Sequence, residues 1–154
     1  MTNAFKTTPF AMRAALEAAE RAAARGDVPV GATVVGPGGR LLAVEGNRVE
    51  ADNDPTAHAE ILALRAAAQR LGTPRLVDCD LYVTLEPCAM CAQATAHARI
   101  RRLYYGAEDA KGGGVDHGAR VFASPACHHR PEVYGLIAEM PAAELLKTFF
   151  RGRR

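Results

Sequence analysis

No stretch of the sequence is apolar over a length that could cross a membrane. A membrane-spanning helix needs about 20 consecutive apolar residues, and the apolar runs of this 154-residue chain are much shorter. The opening residues, from Met1 to Lys6, also lack the apolar core of a secretory signal. We therefore expect a cytoplasmic protein that has no membrane partner.

The chain is also poor in cysteine and in net charge. Its four cysteines are too few for a secreted scaffold built on disulfides. Nineteen Lys and Arg residues against 17 Asp and Glu residues leave a charge of +2, so bulk charge does not indicate nucleic-acid binding. What remains is an ordinary globular composition, with 49% hydrophobic and 23% charged residues. We predict a single domain over residues 1–154, large enough to bury a core without disulfides.

Helical and extended patterns alternate along the chain. Their periodicity and punctuation predict helices over residues 10–24, 55–71, 88–97 and 142–151. Short apolar runs predict strands over residues 30–35, 41–44, 81–85, 102–106 and 133–137, of which the first two form a hairpin. Asp54 is the expected cap of the second helix, whose apolar face would include Leu64 and Leu71. The alternation predicts a layered α/β fold in which the middle of the sheet is parallel.

Two of the predicted helices begin with residues that can bind a metal ion. His58 and Glu60 lie in the first turns of one helix, and Cys88 and Cys91 begin the other. Cysteines three positions apart share a helical face, and the positive end of the helix favours their thiolate forms. A His/Cys/Cys set leaves one tetrahedral position open for water, as in catalytic zinc sites. The pattern therefore predicts a zinc ion that lowers the pKa of its bound water towards neutrality.

Glu60 is the predicted proton carrier of this site. A hydrolytic centre needs a general acid and base beside the water, and Glu60 suits that role better than a fourth ligand position. In a regular helix, side chains two positions apart point about 200° from each other, so His58 and Glu60 need irregular backbone to meet. A Cys-x-x-Cys after a strand also fits a thioredoxin-like redox protein. The His-x-Glu motif, 30 residues before the Cys-x-x-Cys, favours the zinc hydrolase.

The two motifs together resemble the signature of the zinc nucleobase deaminases, in the cytidine and deoxycytidylate deaminase superfamily. They read His58-Ala59-Glu60 and Pro87-Cys88-Ala89-Met90-Cys91. The closer resemblance is to the family of bacterial tRNA adenosine deaminases. Five segments match that family in chain order, residues 27–32, 53–60, 81–88, 106–111 and 149–151.

The resemblance implies a fold, an activity and an assembly. The fold would be a three-layer α/β/α sandwich around a mixed five-stranded sheet. The activity would be hydrolytic deamination of adenosine to inosine at the wobble position of a tRNA anticodon loop, with release of ammonia. One zinc ion per subunit and a homodimer are also implied.

The resemblance also implies residue roles. His58, Cys88 and Cys91 would hold zinc, and Glu60 would move a proton from the water to the purine ring and then to the departing ammonia. Substrate-binding roles would fall to Asn47, which would hydrogen-bond the flipped base, to Val28 and Pro29 as pocket walls, to Ala59, and to Asp109 and Lys111 near the RNA backbone.

Basic residues near the chain end give some independent support for an RNA partner. Lys147, Arg151, Arg153 and Arg154 make the last helix and tail basic, and Arg99, Arg101 and Arg102 follow the Cys-x-x-Cys helix. Anchoring phosphates needs such charges. Solubility of a surface helix is an equally good explanation for each cluster taken alone.

Three other functions remain open at this level. A free nucleobase or nucleoside deaminase would use the same zinc chemistry with a different pocket mouth. A non-catalytic RNA-binding subunit would lack the proton-carrying glutamate, whereas Glu60 is present. A redox protein would contain a titratable dithiol and no zinc.

Several residues fall outside these assignments. The loop over residues 111–118 departs from the pattern of the tRNA enzymes and could reshape the substrate mouth. Glu86 could contact substrate or shape the turn into the second motif helix. We expect Cys79 to be a core residue, His97 to be an ordinary helix residue, and the Cys127-His128-His129 run not to bind metal, because adjacent side chains along extended chain alternate in direction.

Overall fold

The computed structural model describes residues 8–153 as a five-stranded sheet with helices on both faces. The helices are α1 (Phe10–Ala24), α2 (Val49–Asp52), α3 (Ala59–Leu71), α4 (Ala89–His97) and α5 (Glu139–Arg151). The strands are β1 (Gly31–Val35), β2 (Leu41–Gly46), β3 (Asp80–Leu85), β4 (Arg102–Ala107) and β5 (Glu132–Tyr134). Arg154, one of the predicted tail residues, lies outside the described residues, as do residues 1–7.

The sheet has the order β2-β1-β3-β4-β5. Strand β1 pairs antiparallel with β2 and with β3, whereas β3, β4 and β5 are parallel. The expected mixed five-stranded sheet is therefore confirmed. The expectation that its middle is parallel was wrong on one side, because the central strand β3 runs antiparallel to β1.

Two hydrophobic clusters, one on each face of the sheet, complete the three layers. One joins α3 and α4 to the sheet through small residues such as Ala63, Ala67 and Ala92. The other joins α1 to α5 through Met12, Leu16 and Ala142. Alanine favours helix and leaves little side-chain volume, so the helices pack close to the sheet. A Cβ at Gly31 in β1 would overlap the carbonyl oxygen of Ala15 in α1.

The start of α3 differs from the prediction. Residues 55–58 precede the helix because Asp54 caps a local turn instead, accepting hydrogen bonds from the Thr56 amide at 2.8 Å and its hydroxyl at 2.7 Å. The helix begins at Ala59, and His58 before it is extended, with φ −70° and ψ 148°. The expected apolar face was wrong at Leu71, which is 40% exposed, whereas Leu64 is buried.

The last two elements also differ in their bounds. Strand β5 ends at Tyr134, and Leu136 and Ala138 after it have positive φ values of 62° and 58°, outside the extended region of a regular strand. Helix α5 then begins at Glu139, before the expected residue 142. Among residues 8–153, no helix is long and apolar enough to span a membrane.

Candidate active site

The candidate site lies where α3 and α4 begin beside the carboxyl end of β3. His58 is the residue before α3, and Cys88 is the residue before α4. Strand β3 ends at Leu85, three residues before Cys88, so the sheet sets the position of the second motif. The fold thus brings together two motifs that are 30 residues apart in the sequence.

The three predicted ligands converge on one point. Their ligand atoms all lie within 4.8 Å of one another, and His58 Nδ1 is 3.6 Å from Cys88 Sγ and 3.5 Å from Cys91 Sγ. Zinc bonds of about 2.3 Å to sulfur and 2.05 Å to nitrogen, at a tetrahedral angle, separate the two ligand atoms by about 3.6 Å. The spacing of His58, Cys88 and Cys91 therefore fits zinc.

The electrostatics of the two thiols favour the thiolate at Cys88. The hydrogen bond to Cys88, together with burial, raises the pKa of Cys91. A hydrogen bond from Cys91 lowers the pKa of Cys88, and the neighbouring His58 lowers it further. Both cysteines lie at the start of α4, where the helix dipole favours thiolate. Cys88 can therefore reach its metal-binding form near neutral pH.

Glu60 is buried beside this ligand set. Its residue is 4% exposed, and burial raises the pKa of its carboxyl group. His58 and Glu60 can face the same space because His58 has extended backbone and only Glu60 is within the helix. A carboxyl group with a raised pKa, next to the ligands, suits a residue that must both accept and return a proton.

A cavity of about 690 Å³ opens in front of these residues. Of the predicted site residues, its wall includes Val28, Asn47, His58, Glu60, Cys88, Asp109 and Arg153. Its other wall residues are Gly26, Asp27, Val30, Val49, Glu50, Leu85, Glu86 and Phe149. The volume lies in the usual range for small-molecule sites.

The predicted pocket wall needs one correction. Pro29 is buried but does not line the cavity, whereas Val28 and Val30 on either side of it do. Successive side chains of extended backbone point in opposite directions, so alternate residues reach the cavity. Ala59 is also fully buried and contributes no lining side chain.

Asn47 lines the cavity, and its side-chain oxygen is held by the backbone. Its Oδ1 accepts a hydrogen bond from the Val49 amide at 3.0 Å, which assigns the oxygen to that side and turns the NH₂ group away from Val49. Arg25 donates to the Asn47 carbonyl at 3.2 Å. The bond from Val49 therefore gives the Asn47 side chain a defined direction at the cavity wall.

Asp27 is a structural support of the site that the sequence did not reveal. It is fully buried, and its carboxylate accepts hydrogen bonds from the Glu50 amide at 2.7 Å and the Ala51 amide at 3.3 Å. These amides belong to the first turn of α2, which follows Asn47. Pairing across 23 residues leaves no local sequence signal.

The comparison with known proteins agrees with this geometry. The family model described as the cytidine and deoxycytidylate deaminase zinc-binding region matches residues 6–107, two-thirds of the chain. The chain belongs to this deaminase family. It is 54% identical, over 93% of both chains, to the tRNA-specific adenosine deaminase of Agrobacterium fabrum.

Two solved structures resemble this deaminase over most of its length. One comes from work on A-to-I editing by tRNA:A34 deaminases at the wobble position of transfer RNA. It is 54% identical, covers 88% of this chain and 98% of its own, and has a TM-score of 0.87. The guanine deaminase of Nitrosomonas europaea is 27% identical, covers 90% of this chain and 82% of its own, and has a TM-score of 0.78.

The predicted basic residues of the deaminase fall into two separate places. Lys111 is exposed on the loop after β4, and Lys147 and Arg151 are exposed on α5. Arg153 lies over the ring of Phe149 at 3.7 Å, at the cavity wall. Of these residues, Arg153 alone lines the cavity.

The arginines that follow α4 lie elsewhere. Arg102 begins β4 opposite Asp80, the first residue of β3, whereas the cavity lies at the other end of β3. Arg101 forms two hydrogen bonds to Asp80, and Arg102 pairs with Glu132. This cluster therefore lies at the end of β3 that is remote from the cavity, and a contact between it and RNA stays a prediction.

Most cysteines and histidines outside the site are buried or take part in hydrogen bonds within the fold. Cys79 is fully buried in the core, and the Cys127 thiol donates to the His129 carbonyl at 3.1 Å. The His129 ring bonds the Ile100 carbonyl at 2.7 Å. His97 lies in the last turn of α4, within hydrogen-bond distance of Gln93.

Proposed function

We propose that this chain is a zinc-dependent tRNA adenosine deaminase, a hydrolase that converts adenosine to inosine at the wobble position of a tRNA anticodon loop. The observation that carries the chemistry is the placement of Glu60 in one cavity with three zinc-compatible ligands. The substrate class rests on the identity of 54% to a tRNA-specific relative over nearly the full length of both chains.

The reaction replaces the amino group of adenine by an oxygen from water. Zinc, when bound, supplies a Lewis acid that lowers the pKa of water towards neutrality. Glu60 accepts a first proton from the water and delivers it to the purine ring. It then accepts a second proton from the hydroxyl group that has added to the ring carbon and gives it to the departing amine, which leaves as ammonia as the carbon–nitrogen bond breaks. The burial that raises the Glu60 pKa matches this exchange, because the carboxyl group must be both base and acid.

Asn47 and the cavity wall would select and orient the base. The NH₂ group of Asn47 can donate to an acceptor of a flipped purine, since its oxygen is held by Val49. Val28 supplies an apolar wall. Asp109 lies at the mouth, and Lys111 is exposed on the same loop.

A tRNA partner would use Arg153 at the cavity wall and the exposed basic residues of α5. Phosphates on either side of a flipped nucleotide would meet Arg153, whose guanidinium is held against Phe149, and the exposed Lys147 and Arg151 of α5. The tRNA substrate also favours a cytoplasmic location. One zinc ion per subunit, a homodimer and a single domain over residues 1–154 complete the proposal.

The decisive experiment compares substrates of different classes. The zinc-loaded protein is incubated with an anticodon stem-loop that carries A at the wobble position, with the same stem-loop carrying A only at a neighbouring position, and with free adenosine, guanine and cytidine. We expect an A-to-G change in the cDNA of the first RNA alone. Ammonia released only from the free compounds would instead support the nucleobase or nucleoside deaminase.

A further inference from the structure

Glu86 holds both ends of the loop that follows β4. Its side chain is fully buried. Its Oε1 accepts hydrogen bonds from the Asp109 amide at 3.1 Å and pairs with His117 Nδ1 at 2.7 Å. Its Oε2 accepts from the amides of Val115, Asp116 and His117 at 3.2, 3.0 and 3.1 Å. One carboxylate thus closes the loop of residues 109–117.

Glycines let this loop sit directly on Glu86 and on the start of α4. A Cβ at Gly113 would overlap Glu86 Oε2 and the Asp109 carbonyl oxygen, and a Cβ at Gly114 would lie 2.5 Å from the Ala89 amide nitrogen. The Gly114 amide donates to the Pro87 carbonyl at 2.7 Å. The loop therefore packs on the segment that carries Cys88.

The far end of the loop has a second anchor. The Tyr105 hydroxyl in β4 donates a hydrogen bond to the Asp116 carboxylate, and the amide of Asp116 donates to Glu86. Between the anchors, Asp109 Oδ1 accepts from the Lys111 amide at 3.2 Å and the Gly112 amide at 2.9 Å. The loop is thus a folded unit whose near end, Asp109, lines the cavity.

Glu86 has no oxygen left for a substrate, although it lies at the cavity wall. Both oxygens accept hydrogen bonds from the loop. Breaking these bonds to free an oxygen for a substrate would leave a buried carboxylate and several amides without partners, which is costly. Its effect on the reaction must therefore pass through the residues that it holds.

We propose that Glu86 is a positioning residue of the deaminase site, which with His117 fixes Asp109 at the mouth of the cavity and so determines the affinity for the RNA loop. This proposal rests on the proposed function. It assigns Glu86 to substrate binding, and leaves zinc binding and proton transfer to the other residues.

The test variant is Glu86→Gln, which keeps the shape of the side chain. Its single oxygen can still accept the three amides of residues 115–117, but its NH₂ group then faces the Asp109 amide, which loses its acceptor. We expect KM for the wobble-A stem-loop to rise about tenfold, the order of one hydrogen bond to a charged group. We expect kcat to change less than about threefold and the zinc content to be unchanged.

A double-mutant cycle with Asp109→Ala separates positioning from a general loss of stability. If Glu86 acts through Asp109, the effect of E86Q on KM is largely absent when Asp109 is already truncated. Additive effects on KM, an unchanged KM, or a loss of kcat with KM unchanged would each overturn the proposal.

A second variant perturbs the contact between Glu86 and the loop by a substitution in the loop itself. Gly113→Ala forces the loop away from Glu86, whereas the control Ala119→Ser changes an exposed residue just beyond the loop. We expect G113A to raise KM as E86Q does and A119S to leave it nearly unchanged. Should E86Q fail to fold, G113A against A119S decides, and equal KM values for the two would refute the assignment.

Hydrogen exchange distinguishes a failure of this inference from a failure of the proposed function. In E86Q the Asp109 amide should exchange faster than in the wild type, while the amides of residues 115–117 keep more of their protection. If the wild type does not deaminate the RNA, the proposed function fails. Unchanged exchange at Asp109 would overturn the positioning role whatever the substrate.

Discussion

Replacing Asp27 with Asn should loosen the segment that carries Asn47. Asp27 lies in the segment that connects α1 to β1 and is fully buried. Its carboxylate accepts hydrogen bonds from the backbone amides of Glu50 and Ala51. The first amides of a helix have no partner within the helix, so the aspartate supplies acceptors that α2 needs.

The size of the effect follows from these two bonds. Asparagine has nearly the same shape, but its one oxygen can replace only one carboxylate oxygen, and its NH₂ group then opposes the other amide. The shorter bond, to Glu50 at 2.7 Å, is the one that the variant should keep. Loss of the other, together with the charge, should lower the free energy of unfolding by about 2 kcal/mol. For a chain of this size that corresponds to a fall in Tm of about 6 °C.

The assay is thermal unfolding at one protein concentration with saturating zinc, since bound ions and partner subunits also shift Tm. Asp52→Asn is the matched control, because Asp52 is 41% exposed and forms an i,i+4 ion pair with Arg48, which contributes about 0.5 kcal/mol or less. A fall in Tm for D27N no larger than that for D52N would refute this reasoning. We also expect D27N to raise KM, because Val49, which orients Asn47, lies in the same turn.

Four further predictions concern zinc, the proton carrier, the tail and pH. Glu60→Gln should lower kcat by about 10² to 10⁴ with zinc retained, as measured by inosine formation and metal analysis. Cys91→Ser should remove stoichiometric zinc, measured by the same metal analysis. Arg153→Ala with Arg154→Ala should weaken tRNA binding and reduce its salt slope by about 1.5, the value for two phosphate contacts. The hydrogen bond to the Glu86 carboxylate raises the pKa of His117. The stabilisation from this pair is therefore present below pH 6.5 and is lost as the pH rises through the higher pKa of the folded state. His117→Gln should destabilise the protein more at low pH than at high pH, as measured by thermal unfolding.

Each of these predictions has a contradicting outcome, and the tail and pH predictions also have a control variant. A C91S protein that keeps both zinc and activity would contradict the ligand assignment, and an active E60Q protein would contradict the proton carrier. The control for the tail is Arg40→Ala with Arg75→Ala, which also removes two positive charges but at the opposite end of the sheet. An equal change in the salt slope of tRNA binding would contradict a specific contact between the tail and tRNA. His128→Gln changes an exposed histidine, and a pH dependence equal to that of H117Q would exclude the paired histidine as the cause.

Local patterns predicted most of the elements well. Helix α1 has the predicted bounds, because alanine periodicity and Gly26, with φ 92°, define it locally. The start of α3 was predicted four residues too early, because Asp54 can cap either a helix or the tight turn that it forms with Thr56. Such alternatives differ little in local energy, and the packing of α3 on the sheet decides between them.

The candidate site also has some features that local patterns predicted and others that only the structure shows. The types and spacing of His58, Glu60, Cys88 and Cys91 were readable because each motif is local and its chemistry depends on residue type. The role of Glu86 was left open between substrate contact and turn shaping, and the structure shows it engaged by a loop that begins 23 residues later. The arginines after α4 were close to the motif in sequence but lie at the far end of a strand.

The sequence by itself determined the layered α/β class and the two motifs, and it predicted a proton carrier at Glu60, since these depend on local periodicity and on the chemistry of single residues. Tertiary structure alone decided that His58 and the two cysteines meet at zinc-binding distances, that Asp27 holds the turn after Asn47, and that Glu86 holds Asp109 at the mouth. These contacts join segments 23 or more residues apart. They form because the sheet brings the ends of its strands and helices together, and no local pattern encodes which ends will meet.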